Sequence, residues 1–407
     1  MPKNQQKDEI KRISAYLDLS DNEINNLLGF KKTAHAVLDV ENEKYDAWRI
    51  IHNNSLGPGK GGIRFHPETN EEEIKNLAFW MSLKTALLNL PFGGAKGGVR
   101  INPKEKTKEH MQKVARAYIR AFNENLGENK DIPAPDVYTD SQTMGWMLDE
   151  FEKINNKHEP AMITGKPLIL GGCSLRKTAT SAGGKMVLDQ IMKKMSKKPE
   201  NTTIAIQGFG NAGSYIAEML FQEGYNIVAV SDSKGAIISE DAININELKQ
   251  VKKEKGSVCN YNTLSHTTNE ELLKTDVDVL ILAAMANQIT EENAEKIKAH
   301  IVLELANGPI TTKADKILFN NSINVIPSIL SSAGGVVASY CEWSNNRTGS
   351  ILKKKHLEEV MNEKMLNAFN DVYDLTFKIK DFDMRSAGTA IAIQRLLKAE
   401  KSRGNVY

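Results

Sequence analysis

The stretch that decides the fold is Thr203-Ile-Ala-Ile-Gln-Gly-Phe-Gly-Asn-Ala-Gly213, followed after one helical segment by Asn226-Ile-Val-Ala-Val-Ser-Asp232. The apolar run before Gly208 predicts a buried strand, and the segment after Gly213 has the spacing of an amphipathic helix. A second apolar run then ends in an acid, Asp232. Strand, glycine turn, helix and strand in this order predict a parallel sheet of the doubly wound α/β type.

The glycine spacing within this stretch also predicts a dinucleotide site. Gly208 would form the tight turn, Gly210 would let a pyrophosphate approach the backbone, and Gly213 would let helix and strand pack closely. We also predict that Asn211, in the same turn, binds the cofactor. A doubly wound domain without a nucleotide is the structural alternative, because glycine-rich turns are common.

Asp232 bears on the kind of dinucleotide. A carboxylate at the end of the second strand accepts hydrogen bonds from the ribose hydroxyls and repels a 2′-phosphate, which favours NAD over NADP. Three neighbours leave NADP open, because their side chains would coordinate a phosphate if the carboxylate turned aside: Ser231, Ser233 and Lys234.

In the N-terminal half of the chain, glycines crowd around three lysines. The stretches are Gly57-Pro-Gly-Lys-Gly-Gly-Ile-Arg-Phe65 and Leu87-Leu-Asn-Leu-Pro-Phe-Gly-Gly-Ala-Lys-Gly-Gly98, and the lysines are Lys60, Lys84 and Lys96. Lys84 falls on a helix capped by Asn70 and stopped by Pro91, with Lys96 in the loop beyond. Glycine walls around ammonium groups indicate a pocket for anions.

Asp136 follows the stiff, extended run Ile132-Pro-Ala-Pro135 and precedes a helix that opens near Asp140 or Ser141. A capping or turn role is the structural alternative for this carboxylate.

Further strands are predicted at 36–40, 45–51, 277–283, 300–305 and 323–326, helices at 107–126, 352–376 and 387–401, and a connector at 161–184.

Composition narrows the class of protein. A chain of 407 residues predicts two domains, and a formal net charge of +2 excludes the charge imbalance of nucleic-acid and membrane-surface proteins. A small-molecule partner is expected.

The location of the protein is predicted from three features. There is no pairing pattern among Cys173, Cys259 and Cys341, no signal segment is apparent, and no apolar run could span a bilayer. Together they predict a cytoplasmic protein. The histidines have no ligand spacing, so no metal is expected.

Motifs in both halves resemble the glutamate dehydrogenases of the Glu/Leu/Phe/Val amino-acid dehydrogenase superfamily, over nearly the whole chain. They are Gly57–Phe65, Trp80-Met-Ser-Leu-Lys-Thr-Ala-Leu87, Pro91–Gly98, Pro133-Ala-Pro-Asp-Val137, Gly208–Gly213, Glu304-Leu-Ala-Asn-Gly-Pro309 and Ser332-Ala-Gly-Gly-Val336. The resemblance implies reversible, NAD(P)-dependent oxidative deamination of L-glutamate to 2-oxoglutarate and ammonia. It also implies an assembly of identical subunits, commonly a hexamer.

The resemblance further implies residue roles. Lys96 corresponds to the catalytic lysine, Asp136 to the proton-transfer carboxylate, and Lys84 to the partner of the substrate α-carboxylate. Lys60 and Ser339 correspond to the partners of the side-chain carboxylate, and the matching turn is apolar in the leucine and phenylalanine relatives. Asn307 resembles the asparagine beside the nicotinamide ribose, and Thr180 the threonine near the carboxamide.

The implied architecture is a substrate-binding domain at 1–184, a Rossmann-type domain at 185–335, and C-terminal helices at 336–407 that return to the first domain. Departures from the family pattern occur at Thr178, Ser181, Ala182 and Ala286, all on the cofactor side. They motivate one alternative, a catalytically silent or regulatory relative. A separate alternative is an amino-acid dehydrogenase whose substrate has shifted to leucine or valine.

Overall fold

The structure is a computed structural model that describes residues 5–261, 264–350 and 353–405. Contacts divide the described chain into two compact units. The first, called here the N-terminal unit, contains described residues of 5–176, 336–361 and 389–405. The second, called the central unit, contains those of 177–335 and 362–388. The predicted domain limits at 184 and 335 stay a prediction.

The N-terminal unit contains a mixed five-stranded sheet. Its strands are β1 (Lys32–Val40), β2 (Glu43–Asn53), β3 (Gly59–His66), β4 (Gly94–Arg100) and β5 (Asp131–Pro135). They lie in the order β1-β2-β4-β3-β5, with β2 antiparallel to β1 and β4, and β3 parallel to β4 and β5. The strands predicted at 36–40 and 45–51 are thus confirmed.

Helices cover both faces of this sheet. They are α1 (Gln5–Leu17), α2 (Asp21–Leu28), α3 (Glu71–Leu87), α4 (Lys108–Phe122) and α5 (Ser141–Asn155). Ile63, Phe65 and Val99 pack with α4 and α5 on one face, whereas Ile74 and Ala78 of α3 pack on the other with side chains of β2. The predicted helices around 107–126 and after Asn70 are confirmed, and Asp140 caps α5.

The placement of Lys96 in a loop was wrong, because both glycine-rich lysine stretches form strands in the sheet. Lys60 lies in β3 and Lys96 lies in β4. Glycine is required there by close backbone contact: a Cβ built on Gly61 would stand 1.6 Å from the carbonyl oxygen of Ala95. Glycine has a low strand propensity, but the tight spacing of neighbouring backbones in this sheet requires it.

The central unit contains the predicted doubly wound sheet. Its strands are β6 (Thr203–Gln207), β7 (Asn226–Asp232), β8 (Gly235–Ile238), β9 (Ser265–Thr267), β10 (Val279–Leu282), β11 (Ile301–Glu304) and β12 (Asn324–Ile326). The order is β12-β11-β10-β6-β7-β8-β9, parallel from β12 to β7 and antiparallel at β8 and β9. The strand order reverses between β6 and β10, where such sheets bind ligands.

Six helices lie within the described part of the central unit: α6 (Ala179–Lys194), α7 (Asn211–Gln222), α8 (Ile245–Lys255), α9 (Asn269–Leu273), α10 (Thr312–Asn320) and α11 (Ser328–Ser331). The predicted connector was wrong for residues 179–184, which form the first turns of α6. Gly183 lies against Gly334, and a Cβ there would approach Gly334 to 3.0 Å. Close helix packing thus explains a glycine-rich helix start that composition alone describes as loop.

Three C-terminal helices complete the described chain: α12 (Gly334–Thr348), α13 (Lys354–Lys378) and α14 (Met384–Ser402). Residues 336–361 and 389–405 belong to the N-terminal unit, as the predicted return of these helices requires, but 362–388 belong to the central unit. Arg385 explains that difference, because its buried guanidinium bonds Glu304 at 2.7 Å and Asp315 at 3.1 Å. The predicted helix start at residue 352 lies outside the described residues.

None of the helices in the described residues is both long and apolar enough to cross a membrane.

Candidate functional site

One face of the N-terminal sheet gathers the charged residues that the sequence singled out. Side chains alternate along β3, so Lys60, Gly62 and Arg64 share the face opposite Ile63. The register places Ala134 beside Gly62, and Asp136 follows β5 on the same face. A Cβ on Gly62 would lie 2.8 Å from the Cβ of Asp136, so this glycine leaves the space that the carboxylate needs.

Lys96 and Asp136 form an ion pair at the centre of this face. The Nζ of Lys96 donates to Oδ1 of Asp136 at 2.8 Å, and the lysine is only 4% exposed. The Nε of Arg64 donates to Oδ2 of the same carboxylate at 3.0 Å. Arg64 also pairs with Glu73 in the first turn of α3. Asp136 is therefore held between two cations rather than serving as a helix cap.

The surroundings shift the acid-base properties of both members of the pair. Burial lowers the pKa of Lys96, and the nearby charge of Arg64 lowers it further against the opposing effect of Asp136. Burial acts to raise the pKa of Asp136, but the charges of Lys96 and Arg64 outweigh it, and the net pKa lies well below the usual range. Burial is thus the largest cause of the lowered pKa of Lys96, and the neighbouring cation that adds to it is Arg64.

Lys60 is fully buried on the same strand face. Its Nζ donates to the carbonyl oxygens of Ile132 at 3.3 Å and Pro133 at 3.5 Å, both long for hydrogen bonds. Burial lowers the pKa of Lys60 well below its ordinary value, and the charges of Arg176 and Arg49 act in the same direction. An anion brought to this ammonium would relieve the cost of its burial.

Lys84 lies in the last turn of α3, the helix that packs against β4. It is 7% exposed, although lysine is normally a surface residue. Asn70 accepts a hydrogen bond from the backbone of Glu73 at the start of this helix, as the sequence predicted. The helix ends at Leu87, before Pro91. Lys84 therefore occupies a buried position near a helix end, where a cation is favoured.

Ser339 lies on α12 and is 2% exposed. Its Oγ accepts hydrogen bonds from Nη1 of Arg176 at 2.5 Å and from Oγ1 of Thr164 at 3.2 Å. Arg176 was not predicted as a site residue from the sequence, although it lies within Gly171–Gly183, the segment that also contains the departures at Thr178, Ser181 and Ala182. The feature of the sequence that could have indicated a role for it is the presence of an arginine inside a glycine-rich segment.

A second ion pair, between Arg49 and Asp131, is enclosed in the protein behind the lysine strands. Nε of Arg49 donates to Oδ2 of Asp131 at 2.7 Å, the other guanidinium nitrogens bond Oδ1 and the carbonyl oxygen of Gly61, and both side chains are at most 1% exposed. This pair joins β2, the β3 backbone beside Lys60 and the first residue of β5. It supports the strand that carries Lys60.

In the central unit, the glycine turn after β6 leaves an open concave surface. Gly208 has φ of +94°, and a Cβ there would stand 2.8 Å from the backbone of Ala283. A Cβ on Gly213 would lie 1.8 Å from the carbonyl oxygen of Gly208, whereas one on Gly210 would meet nothing within 4 Å. The first and third glycines are thus required by packing. The second leaves free space at the start of α7, which fits a bound pyrophosphate.

The other predicted cofactor residues also lie in the central unit. Asn211 is the first residue of α7, Asp232 ends β7, and Asn307 follows β11, so all three stand at the carboxyl edge of the parallel strands. Thr180 is the second residue of α6. The departure at Ser181 has a structural role, because its Oγ donates to the carbonyl oxygen of Ala212 at 2.8 Å.

Asp232 does not present a free carboxylate. Its oxygens accept hydrogen bonds from the backbone N–H groups of Lys234 and Val258, both at 2.9 Å. They also accept from Oγ of Ser257 at 3.1 Å and Nζ of Lys252 at 3.0 Å. Burial acts to raise the pKa of Asp232, but these donors outweigh it and lower the net pKa. A ribose that bound Asp232, as predicted, would therefore have to compete with these internal donors for the carboxylate oxygens.

No group of three or more His, Cys, Asp or Glu side chains that could hold a metal ion occurs within residues 5–261, 264–350 and 353–405.

Comparison with known families gives two matches. Residues 171–404 match the model described as Glutamate/Leucine/Phenylalanine/Valine dehydrogenase. Residues 33–153 match the model described as Glu/Leu/Phe/Val dehydrogenase, dimerisation domain. The first match alone covers more than half of the 407 residues.

Individual proteins agree with the family matches. The chain is 43% identical over 369 residues to the NADP-specific glutamate dehydrogenase of Synechocystis, covering 88% of this chain and 86% of that protein. It is 42% identical over 362 residues to an NAD-specific glutamate dehydrogenase of Staphylococcus aureus, with the same coverage. The hetero-hexameric glutamate dehydrogenase of Thermus thermophilus, in a leucine-bound form, matches with a TM-score of 0.91 and 27% identity, covering 98% of this chain and 97% of that one.

Proposed function

The chain belongs to the Glutamate/Leucine/Phenylalanine/Valine dehydrogenase family, and from that premise we propose that it is an NAD(P)-dependent glutamate dehydrogenase. The reaction is reversible oxidative deamination of L-glutamate to 2-oxoglutarate and ammonia. The observation that supports this proposal most directly is the buried Lys96–Asp136 pair on the same sheet face as Lys60. The pair would transfer protons, and Lys60 on the same face would bind an anionic group of the substrate.

The function is tested by ammonia-dependent oxidation of NADH and NADPH with 2-oxoglutarate as substrate. Turnover with either cofactor is the expected result. Absence of turnover with both would favour the silent or regulatory alternative, and faster oxidative reaction with leucine or valine than with glutamate would favour the shifted substrate.

The substrate is a dicarboxylate, and we assign one buried cation to each carboxylate. Lys84 would bind the α-carboxylate, and Lys60 with Ser339 would bind the side-chain carboxylate. Arg176 joins this group because it donates directly to Ser339. Two weak carbonyl contacts leave Lys60 with donor capacity for the ligand.

Lys96 and Asp136 would carry the proton transfers. A nicotinamide cofactor held at the glycine turn would supply the hydride acceptor that lets the substrate Cα be oxidised to an iminium carbon. Neutral Lys96, favoured by its burial, would take a proton from the water that attacks this carbon. Asp136, 2.8 Å from Lys96, would pass a proton to the nitrogen that departs as ammonia.

The glycine turn and its neighbours would hold the cofactor. Gly210 leaves space for the pyrophosphate, and Asn211 opens α7, whose first N–H groups favour an anion. Thr180 and Asn307 are assigned to the nicotinamide end by family resemblance, with Gly208 and Gly213 shaping the turn.

Replacement of Lys60 is expected to reduce activity toward glutamate. In Lys60→Met, the side-chain carboxylate loses its buried counter-ion, so kcat/KM for glutamate should fall about a hundredfold or more. Steady-state assays with glutamate, leucine and norvaline measure the change, and the value for the two apolar amino acids should fall less or rise. Lys108→Met, at the exposed start of α4, is the matched control. An equal fall for all three substrates would contradict the assignment.

Arg64 is expected to set the pH dependence. Its charge lowers the pKa of Lys96, so Arg64→Gln should raise that pKa and move the ascending limb of the kcat/KM profile to higher pH. Arg64→Lys keeps the charge and should restore most of the wild-type profile. A profile from pH 6 to pH 10 with saturating cofactor measures both. An unchanged limb in Arg64→Gln would separate Arg64 from the proton-transfer pair.

We also propose a homohexameric assembly and a cytoplasmic location. The Thermus relative is described as hetero-hexameric, and the family model over residues 33–153 is described as a dimerisation domain. Light scattering coupled to size-exclusion chromatography would test the assembly, with a mass near six times 45.2 kDa as the expected result.

A further inference from the structure

A basic pocket of about 590 Å³ lies beside the glycine turn of the central unit. Gly210, Asn211 and Ser214 form one side of its lining. The ammonium side is formed by Lys249, Lys252 and Lys253 of α8, called here the α8 lysines. The pocket therefore adjoins the space that Gly210 leaves open for a pyrophosphate.

The sequence itself places the α8 lysines together. Positions 249, 252 and 253 are separated by three and four residues, so their side chains share one face of α8. Lys249 pairs with Glu218 at 2.6 Å, and the Nζ of Lys252 lies 5.8 Å from the centre of the Phe209 ring. Lys253 is exposed at the rim. The face thus presents three cations, of which Lys249 pairs with Glu218 and Lys252 pairs with Asp232.

Asp232 explains why this pocket would not select an unphosphorylated ribose. A carboxylate offers about four acceptor positions, and the four donors described above occupy them. Asp232 is 7% exposed, and Lys252 offsets its charge at 3.0 Å. The carboxylate of Asp232, which would ordinarily repel a 2′-phosphate, therefore already accepts four hydrogen bonds, and the charge of Lys252 offsets its own.

We propose that Lys249 and Lys253 bind the 2′-phosphate of NADP(H), with Lys252 offsetting the charge of Asp232, and that the chain accordingly prefers NADP(H) to NAD(H). This inference rests on the proposed function only in placing a nicotinamide dinucleotide at the glycine turn. It replaces the preference for NAD that Asp232 suggested from sequence. Lys249 and Lys253 contact the phosphate, and Lys252 acts through Asp232.

The test measures binding rather than turnover. Purified full-length protein is titrated with NADPH and NADH by nucleotide fluorescence, and with adenosine 2′,5′-bisphosphate and adenosine 5′-monophosphate by calorimetry. In the wild type, the 2′-phosphorylated member of each pair should bind at least about tenfold more tightly, as expected for charge-assisted hydrogen bonds. The advantage should shrink as salt is raised.

Lys249→Gln/Lys253→Gln is the variant that tests the pocket. It should weaken NADPH about tenfold or more and change NADH less than about twofold. Lys255→Gln removes the same charge from the same helix but outside the pocket lining, and should leave both affinities unchanged. Equal weakening of both dinucleotides, or tighter binding of NADH by the wild type, would overturn the inference.

The fragment titrations separate this inference from the proposed activity. Tighter binding of the bisphosphate in a protein without turnover would overturn the activity and support the pocket. Turnover of glutamate with no advantage for the bisphosphate would overturn the pocket and leave the activity. Failure of all four ligands to bind would overturn the pocket as a dinucleotide site.

Discussion

Lys96→Ala is expected to lower kcat for glutamate deamination by about 10²- to 10⁴-fold, the contribution of a positioned general acid or base. The lysine is buried, its pKa is lowered mainly by that burial, and its Nζ lies 2.8 Å from Asp136. Alanine removes the proton acceptor without altering Lys60 or Lys84. The loss should therefore appear in kcat and much less in substrate affinity.

The fold should tolerate this change. Asp136 keeps its bond to Arg64, 3.0 Å away, so the variant does not leave the carboxylate alone. In the wild type, burial raises the pKa of Asp136, but the charges of Lys96 and Arg64 outweigh it and hold the pKa below the unfolded value, so the stability that this carboxylate provides is present at neutral pH and lost as pH falls through the folded pKa. Circular dichroism and thermal unfolding would check the fold, with Lys108→Ala as the surface control. Wild-type kcat in a folded Lys96→Ala protein would contradict the assigned role.

Arg49→Met should destabilise the protein by about 3 to 5 kcal/mol, the cost of leaving one member of a buried ion pair uncompensated. Both side chains of the Arg49–Asp131 pair are at most 1% exposed, so water cannot solvate the abandoned carboxylate. Methionine keeps much of the side-chain length, which limits the cavity contribution. Chemical unfolding at fixed protein concentration measures the loss, because assembly makes the midpoint concentration-dependent.

Two further variants identify the cause of that loss. Arg120→Met removes an arginine that pairs with Glu150 at 2.5 Å but whose side chain is 53% exposed, and should cost about 1 kcal/mol or less. Arg49→Met/Asp131→Asn removes both charges and should be less destabilised than the sum of the two single variants. Strict additivity would show that Arg49 acts through packing alone.

Much of the fold was predictable because its signals are local. Glycine spacing, apolar runs and caps identified β6, α7 and β7, as well as α3 and α4. The strands around Lys60 and Lys96 were not identified as strands, because glycine has low strand propensity and its reason for being there is a neighbouring backbone. Gly61 illustrates this, since only the position of Ala95 in the folded sheet excludes a larger residue.

The candidate site likewise combines residues that could be predicted from the sequence with contacts that could not. Lys60, Lys84, Lys96 and Asp136 were found from their glycine and proline surroundings and from family resemblance. No local pattern predicted a role for Arg64, because its link to Asp136 crosses 72 positions of the chain. Asp232 was predicted to receive a ribose, but Ser257 and Val258, which occupy its oxygens, lie 25 and 26 positions away.

The sequence by itself determined the two α/β units, the glycine turn, the lysines of the candidate site and the family. Periodicity, backbone freedom and motif spacing act over a few residues, so they can be seen in the order of the amino acids. The tertiary structure decided which charges meet: Arg64 with Asp136, Arg49 with Asp131, and Lys252 with Asp232. The pKa of a buried group and the engagement of a carboxylate depend on partners distant in the chain, and only folding brings those partners within a few ångströms.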